Sequence, residues 1–226
     1  MAEARAGLGG LLMTSVPWMN HPHHSGYANY RPVQLAAAHQ GGLTIPATLI
    51  TNDPVRARAF AVAQGELVYK PMTHVPPGQG RVLYAVPISA DDLEGEAGDA
   101  IAGSMHLLQR RITAAYAARL TVVDGRIFAA AIHAHSDAAR MDWRSDYDAL
   151  TYEAVDPPVD VAEGVRIMMN RLSLRFGALD FLVTEQGEWY FLEVNPNGQW
   201  AWIEQETGLR ISSAIADALV GSALKS

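Results

Sequence analysis

Two periods of apolar and polar residues run along this chain, and the places where one gives way to the other mark its elements. RPVQLAAAHQ (31–40) sets Val33, Leu35 and Ala36 to Ala38 at helical spacing, and Gly41-Gly42 stops it. LTIPATLIT (43–51) is extended. Asn52 or Asp53 then caps a helix over PVRARAFAVAQ, with Pro54 at the first helical position and Gly65 at the end. ELVYKPM (66–72) reads as a buried strand carrying a single lysine. A Pro/Gly loop, THVPPGQGR (73–81), leads back into a strand at RVLYAVPIS. ADDLEGEAGDAIAGS (90–104) is acidic with helical content. MHLLQRRIT and ARLTVVDGRIFAAAIHA carry strands, and Asp124-Gly125 between two apolar runs signals a hairpin. Residues 135–160 read as polar and irregular. VAEGVRIMMNRLSL (161–174) is an amphipathic helix. GALDFLVTEQGEWYFLEVNP (177–196) is a second hairpin turning near Glu185–Gly187, and residues 207–226 close the chain as a helix.

Adjacent hairpins with intervening helices imply an α+β fold of antiparallel sheets, with helices on one side. The division expected is a turn-rich opening segment (1–30), a central subdomain (31–105) and a C-terminal subdomain (106–226). No internal repeat or low-complexity tract interrupts it.

Composition narrows the function classes. With 226 residues, 49% of them hydrophobic, the chain can bury a substantial core. A net charge of −7 argues against binding to a nucleic-acid backbone. The absence of cysteine removes disulfides, a thiol nucleophile and thiolate-bound metal. No apolar run reaches the roughly 18 residues that a membrane span requires, and the N-terminus lacks the pattern of a signal peptide, so a cytoplasmic location is expected and no membrane partner.

The candidate chemistry concentrates in FLEVNPNGQWAWIE (191–204). Glu193 and Asn195 lie two apart and so share one strand face, and Asp180 in the partner strand falls opposite Glu193 when counted from a turn at 186–187. Two carboxylates that close need positive charge between them. A hard cation such as Mg²⁺ would supply it, and so would arginines. Lys70 in an apolar strand could face an anion, and Gly78 and Gly80 could bring backbone amides to phosphates, although a surface hairpin explains the glycines equally well. Arg144, in Asp142-Trp143-Arg144, and Arg119 have the planar fork that suits phosphate or carboxylate, and equally surface ion pairs. His21, His23, His24, His133 and His135 lack metal-site spacing, and no GxSxG motif is present.

These residues together resemble the ATP-grasp ligases that mature ribosomal peptides, the microviridin-type or graspetide macrocyclases. The resemblance rests on FLEVNPNGQWAWIE, GALDFLV and DWR, with MNHPHHSGYANYRPVQLAAA, GGLTIPATLITNDP and LVYKP in matching order. It implies two α+β subdomains gripping ATP. In that family Lys70 would hold phosphates together with Arg31. Asp180, Glu193 and Asn195 would hold Mg²⁺. Arg144 and Arg119 would face phosphate or an acyl-phosphate intermediate. The strand with Gln109, Arg110 and Ile112 would border adenine. The implied substrate is a precursor peptide, leader plus core, crosslinked by ester or amide bonds, and the family allows a homodimer. A glutamate-adding ligase of the same fold, acting on a protein C-terminus or small molecule, and a non-catalytic nucleotide- or peptide-binding remnant stand as alternatives. The sequence departs from the family at Arg31, where lysine is usual, and in QRRITAAYAAR, where Arg110 replaces an acid and Ala114 a lysine. The family also implies an N-terminal α/β domain ahead of this segment, with MAEARAGLGG as the tail of a helix.

Overall fold

The computed structural model describes residues 2–13, 17–72, 86–141 and 143–223. The chain opens with helices α1 (Ala2–Leu12), α2 (Pro22–Ala28) and α3 (Arg31–Gln40), then β1 (Thr48–Thr51), α4 (Pro54–Gln64), β2 (Leu67–Lys70), β3 (Val86–Ile88), α5 (Gly95–Ile101) and β4 (His106–Arg110). It continues through β5 (Tyr116–Val123), β6 (Arg126–Ala134), α6 (Asp137–Met141), β7 (Leu150–Val155), α7 (Val159–Arg171), β8 (Phe176–Val183), β9 (Trp189–Asn195), α8 (Ala201–Thr207) and α9 (Ile211–Ala223).

Two antiparallel sheets result. The first has four strands in the order β1-β4-β2-β3, and the second has five in the order β7-β6-β5-β8-β9. The expected α+β class holds. The change of sheet falls between Arg110 and Tyr116, a few residues beyond the division expected near residue 105, because β4 inserts between β1 and β2. Behind the first sheet, Ala57 and Ala61 of α4 and Ile101 of α5 bury Leu67 and Leu108.

The five-stranded sheet is covered on both faces, not on one. Period two explains it: Leu120 and Val122 point to one side of β5, Thr121 and Val123 to the other. On the first side Ala37 and Ala38 of α3 join Val165, Met168 and Met169 of α7 in a cluster with Leu120, Leu179, Phe181 and Phe191. On the second side Ile203 of α8 and Ile211, Ala214 and Ala218 of α9 meet Val123, Ala130 and Phe176. Helix α3 therefore packs on the C-terminal sheet although it precedes the central strands in sequence.

Three sequence expectations change. Residues 14–30 include a regular helix, α2, started by Pro22 and capped by the His21 side chain, which accepts from the His23 N–H. The polar stretch 135–160 contains β7, an edge strand whose outer residues are solvated, so it lacks an apolar signature. The expected closing helix forms as α9, and a further helix that the sequence reading did not assign, α8, precedes it across a left-handed Gly208 with φ 72°. The loop with Gly78 and Gly80, and Asp142, lie outside the described residues.

Candidate functional site

The Asp124-Gly125 and Gly187 turns set the registers that assemble the site, each with positive φ where a hairpin needs it. Arg119 on β5 pairs directly with Asp180 on β8, and Asp180 pairs with Glu193 on β9. That last pairing depends on a bulge. Phe181 faces Phe191 and Asp180 faces Glu193, so Leu192 is the extra residue. Without it Glu193 would lie opposite Leu179, on the face buried under α3 and α7. The bulge turns its carboxylate to the face that carries Asp180, and it returns Asn195 opposite Ala178 on that same face. The sequence count from a turn at 186–187 reaches the right pair, but the strands themselves are centred one half-residue earlier and the bulge makes up the difference.

The two carboxylates are sheathed in arginine. Asp180, whose side chain is 6% exposed, accepts from Arg119 Nη1 at 2.6 Å and from Arg144 Nη2. The same Nη2 lies 3.0 Å from Glu193 Oε1, and Arg31 from the first turn of α3 pairs with Glu193 Oε2. Each of the four carboxylate oxygens thus has a guanidinium partner. Burial by itself would push the Glu193 carboxyl up, but Arg31, Arg144 and Lys70 outweigh it and hold it at about 2.

Lys70 looks in from the four-stranded sheet. Its ammonium donates to Gln109 Oε1 at 2.7 Å, and Gln109 in turn donates to Thr48 Oγ1 at 2.9 Å. Burial dominates its titration and lowers its pKa from 10.5 to about 8, with Glu193 opposing and Arg31 and Arg144 reinforcing the shift. Four cations therefore converge on two carboxylates, an excess of positive charge that suits a polyanion.

A second feature adjoins the site between the sheets. A cavity of about 250 Å³ is lined by Arg110, Arg111, Ile112, Thr113, Thr184 and Tyr190, among others. Arg110 lies over the Tyr190 ring, 6.0 Å from its centroid. Of the sequence candidates, Asp180, Glu193, Arg31, Arg119 and Arg144 come into direct contact, Lys70 joins them through its field, and Arg110 and Ile112 line the cavity. Gln109 is buried and serves Lys70. Asn195 spends its Oδ1 on the Asn197 N–H at 2.9 Å, a turn-forming bond.

Asp180, Glu193 and Asn195 match a hard divalent cation in donor chemistry, since all offer oxygen. The arginine nitrogen bridging both carboxylates marks where positive charge is held between them. Among the described residues no group of three or more His, Asp or Glu side chains is placed to hold a metal ion. His21 and His23 each meet the His24 ring at an angle, 5.5 and 6.0 Å between centroids, and His21 also caps α2.

Sequence reasoning missed the residues that hold this arrangement in place. Gln34 of α3 receives the Val194 N–H at 3.0 Å and donates to the Val194 carbonyl at 2.9 Å, pairing the outer edge of β9 between Glu193 and Asn195. Asn20 donates to Phe176 O and Pro196 O and receives the N–H groups of Arg175 and Phe176, fastening both strand ends. Trp143 lies against Arg144, 4.7 Å from guanidinium carbon to ring centroid. A Gln in an amphipathic helix carries no signal of a strand partner. Gly198 leaves room for Arg119, because a Cβ there would stand 3.2 Å from its Nη2 and inside contact distance of Ala178.

Comparison with known proteins points the same way. The structure aligns with the RiPP-associated ATP-grasp ligase of Chryseobacterium gregarium, solved in complex with ADP and a leader and core peptide, at TM-score 0.88 and 29% identity over 98% of this chain and 68% of that one. Macrocyclase MdnC from Microcystis aeruginosa MRC, bound with precursor peptide MdnA, aligns at TM-score 0.83 and 29% identity over 98% of this chain and 70% of that one. Macrocyclase MdnB from the same organism gives TM-score 0.78 and 31% identity over 97% of this chain and 68% of that one. No family model matches the chain, and no curated protein does. No helix among the described residues is long and apolar enough to cross a membrane. The identity to MdnB across two thirds of that enzyme, joined to the shared fold and the buried carboxylate–arginine cluster, places this chain in the family of RiPP ATP-grasp ligases, the peptide macrocyclases.

Proposed function

We propose that the protein uses ATP and Mg²⁺ to activate side-chain carboxylates of a ribosomal precursor peptide and to close ester or amide crosslinks within it. The observation that carries this reading is the convergence of Lys70, Arg31, Arg119 and Arg144 on the facing pair Asp180 and Glu193, between two sheets and beside a small cavity. Complexes of related enzymes with ADP and peptide support it.

In this reading the nucleobase enters the cavity lined by Arg110 and Ile112. Lys70 attracts the phosphates with an ammonium whose hydrogen-bond partner is the neutral Gln109 amide. Gln109 orients Lys70. Asp180, Glu193 and Asn195 are the residues that would hold Mg²⁺. When bound there, the ion would neutralise phosphate charge during transfer of the γ-phosphoryl group. The peptide carboxylate oxygen attacks the γ-phosphorus and ADP leaves; a Ser or Thr hydroxyl or a Lys amine of the same peptide then attacks the acyl carbon, gives up its proton, and inorganic phosphate leaves as the ester or amide forms. Arg144, partly exposed and paired with both carboxylates, is the guanidinium that would turn to face that acyl phosphate. Arg119 is buried against Asp180, the Gln199 carbonyl and Gly198, so it acts through Asp180 as a positioning residue. A strand-mounted site of this kind needs no covalent nucleophile, which suits a chain without cysteine.

Incubating the purified chain with ATP, Mg²⁺ and a short Thr/Ser- and Asp/Glu-rich peptide encoded beside its gene tests this by mass spectrometry. Loss of one water per crosslink, absent in Asp180→Ala, is the expected result. Addition of glutamate to a peptide terminus, or an unchanged peptide with a folded and nucleotide-loaded protein, would overturn it.

A further inference from the structure

The three arginines around the carboxylates are not equally fixed. Arg119 stands on β5, is 7% exposed, and is held by Asp180, by the Gln199 carbonyl at 3.2 Å and by the close approach of Gly198. Arg31 belongs to the first turn of α3, a helix anchored to the sheet by Gln34. Arg144 comes from a three-residue turn, Trp143–Ser145, between short elements, and its side chain is 30% exposed. Yet one nitrogen of Arg144, Nη2, touches both carboxylates at once. It stands between the oxygen atoms that a shared cation would use, and a guanidinium and a divalent ion cannot take the same lone pairs. Arg144 already lies over the face of Trp143 at 4.7 Å while it holds the carboxylates, and Trp143 itself rests on Trp202 at 5.4 Å, so a guide for the side chain stays in place when the carboxylate contacts are given up.

We propose that Arg144 keeps the divalent-cation seat between Asp180 and Glu193 until nucleotide and metal arrive together, and that its release from that seat, guided by Trp143, frees it for the peptide's activated carboxylate. This rests on the ligase reading given above and adds an order of events to it. Charge supports the order. With four cations already facing two carboxylates, a divalent ion alone meets net repulsion, whereas one delivered with a polyphosphate does not. Metal loading and arginine availability then become a single step, so that the arginine is offered to substrate only when the phosphoryl donor is in place. Trp143 is a positioning residue in this scheme, and Arg144 retains its place in the catalytic machinery.

Direct measurement of free Mn²⁺ by electron paramagnetic resonance tests the seat without reference to turnover. The full chain should bind Mn²⁺ weakly alone and firmly with ADP. Arg144→Ala should bind Mn²⁺ without nucleotide on the order of tenfold more tightly than the unaltered chain, and Asp180→Asn should lose binding in either background. Arg144→Met serves as a second neutral replacement should the alanine variant melt early. Trp143 gives an independent readout on the unaltered chain: Mg²⁺ with ADP should change tryptophan fluorescence, and Trp143→Phe should abolish most of that change. If the Arg144 variants bind Mn²⁺ alone no better than the unaltered chain, while all bind it with ADP, the seat is refuted and the ligase reading stands. If no Mn²⁺ binds even with ADP, both fall.

Discussion

The two sheets hold their functional charges in opposite ways. On the five-stranded sheet every carboxylate oxygen of Asp180 and Glu193 has an arginine partner, and Glu193 is held at about 2 by surrounding cations. On the four-stranded sheet Lys70 is half-buried with an amide oxygen as its hydrogen-bond partner, and its pKa falls to about 8. One side is electrostatically complete, and under the proposed function it must exchange partners to work. The other is incomplete and gains by receiving an anion. The cleft between them is therefore asymmetric: removing a charge should damage the first side and relax the second.

The largest effect is expected at Asp180. Asp180→Ala leaves Arg119 buried without its carboxylate, and breaking such a pair costs about 3–5 kcal/mol. Thermal and urea melts should show that loss, and macrocyclisation should be abolished. A melt within experimental error of the unaltered chain would mean that the five-stranded side is not held by its ion pairs.

Lys70→Met should move stability the other way. A shift from 10.5 to about 8 corresponds to up to about 3 kcal/mol of cost from keeping the amine charged while buried. Because the unfolded chain binds the proton more tightly between those two values, the unaltered protein should gain stability as pH rises from about 8 toward 10.5, and the methionine variant should lack that rise. Nucleotide affinity in the unaltered protein should fall over the same window, since the neutral amine no longer attracts phosphate. Denaturation and calorimetry across pH check both signs.

Gln34→Ala sharpens the comparison from the scaffold side. It leaves the Val194 N–H and carbonyl without their partner on a buried strand edge, costing about 2 kcal/mol, and it should weaken metal-dependent nucleotide binding by loosening Glu193. Gly198→Ala should cost about 2 kcal/mol, because its Cβ would overlap the Ala178 Cβ on β8 and crowd Arg119, and kcat should fall as Arg119 shifts.

Much of this arrangement was legible in the sequence because it rests on local signals. Asp53 capping α4 through the Val55 and Arg56 N–H groups, Asp124-Gly125 in its turn, and the strands around Lys70 and Asp180 all follow from short-range chemistry. Strand β7 was hidden because an edge strand can be polar. Placing helices on both faces needed knowledge of which strands join which sheet, and β4 joins the sheet before it. The site residues were individually visible, and either cations or arginines could have neutralised the carboxylate pair. That arginines fill every oxygen, and that Leu192 bulges to bring Glu193 around, are consequences of tertiary packing that spacing alone does not encode.

The claim that both sheets serve one nucleotide–metal cleft is tested most directly by calorimetry of ADP binding to the purified chain, with and without Mg²⁺, beside Glu193→Ala. The account predicts Mg²⁺-dependent binding that weakens strongly in the variant. A folded chain that binds ADP equally well without Mg²⁺ and with Ala at position 193, or that binds no nucleotide, would contradict it.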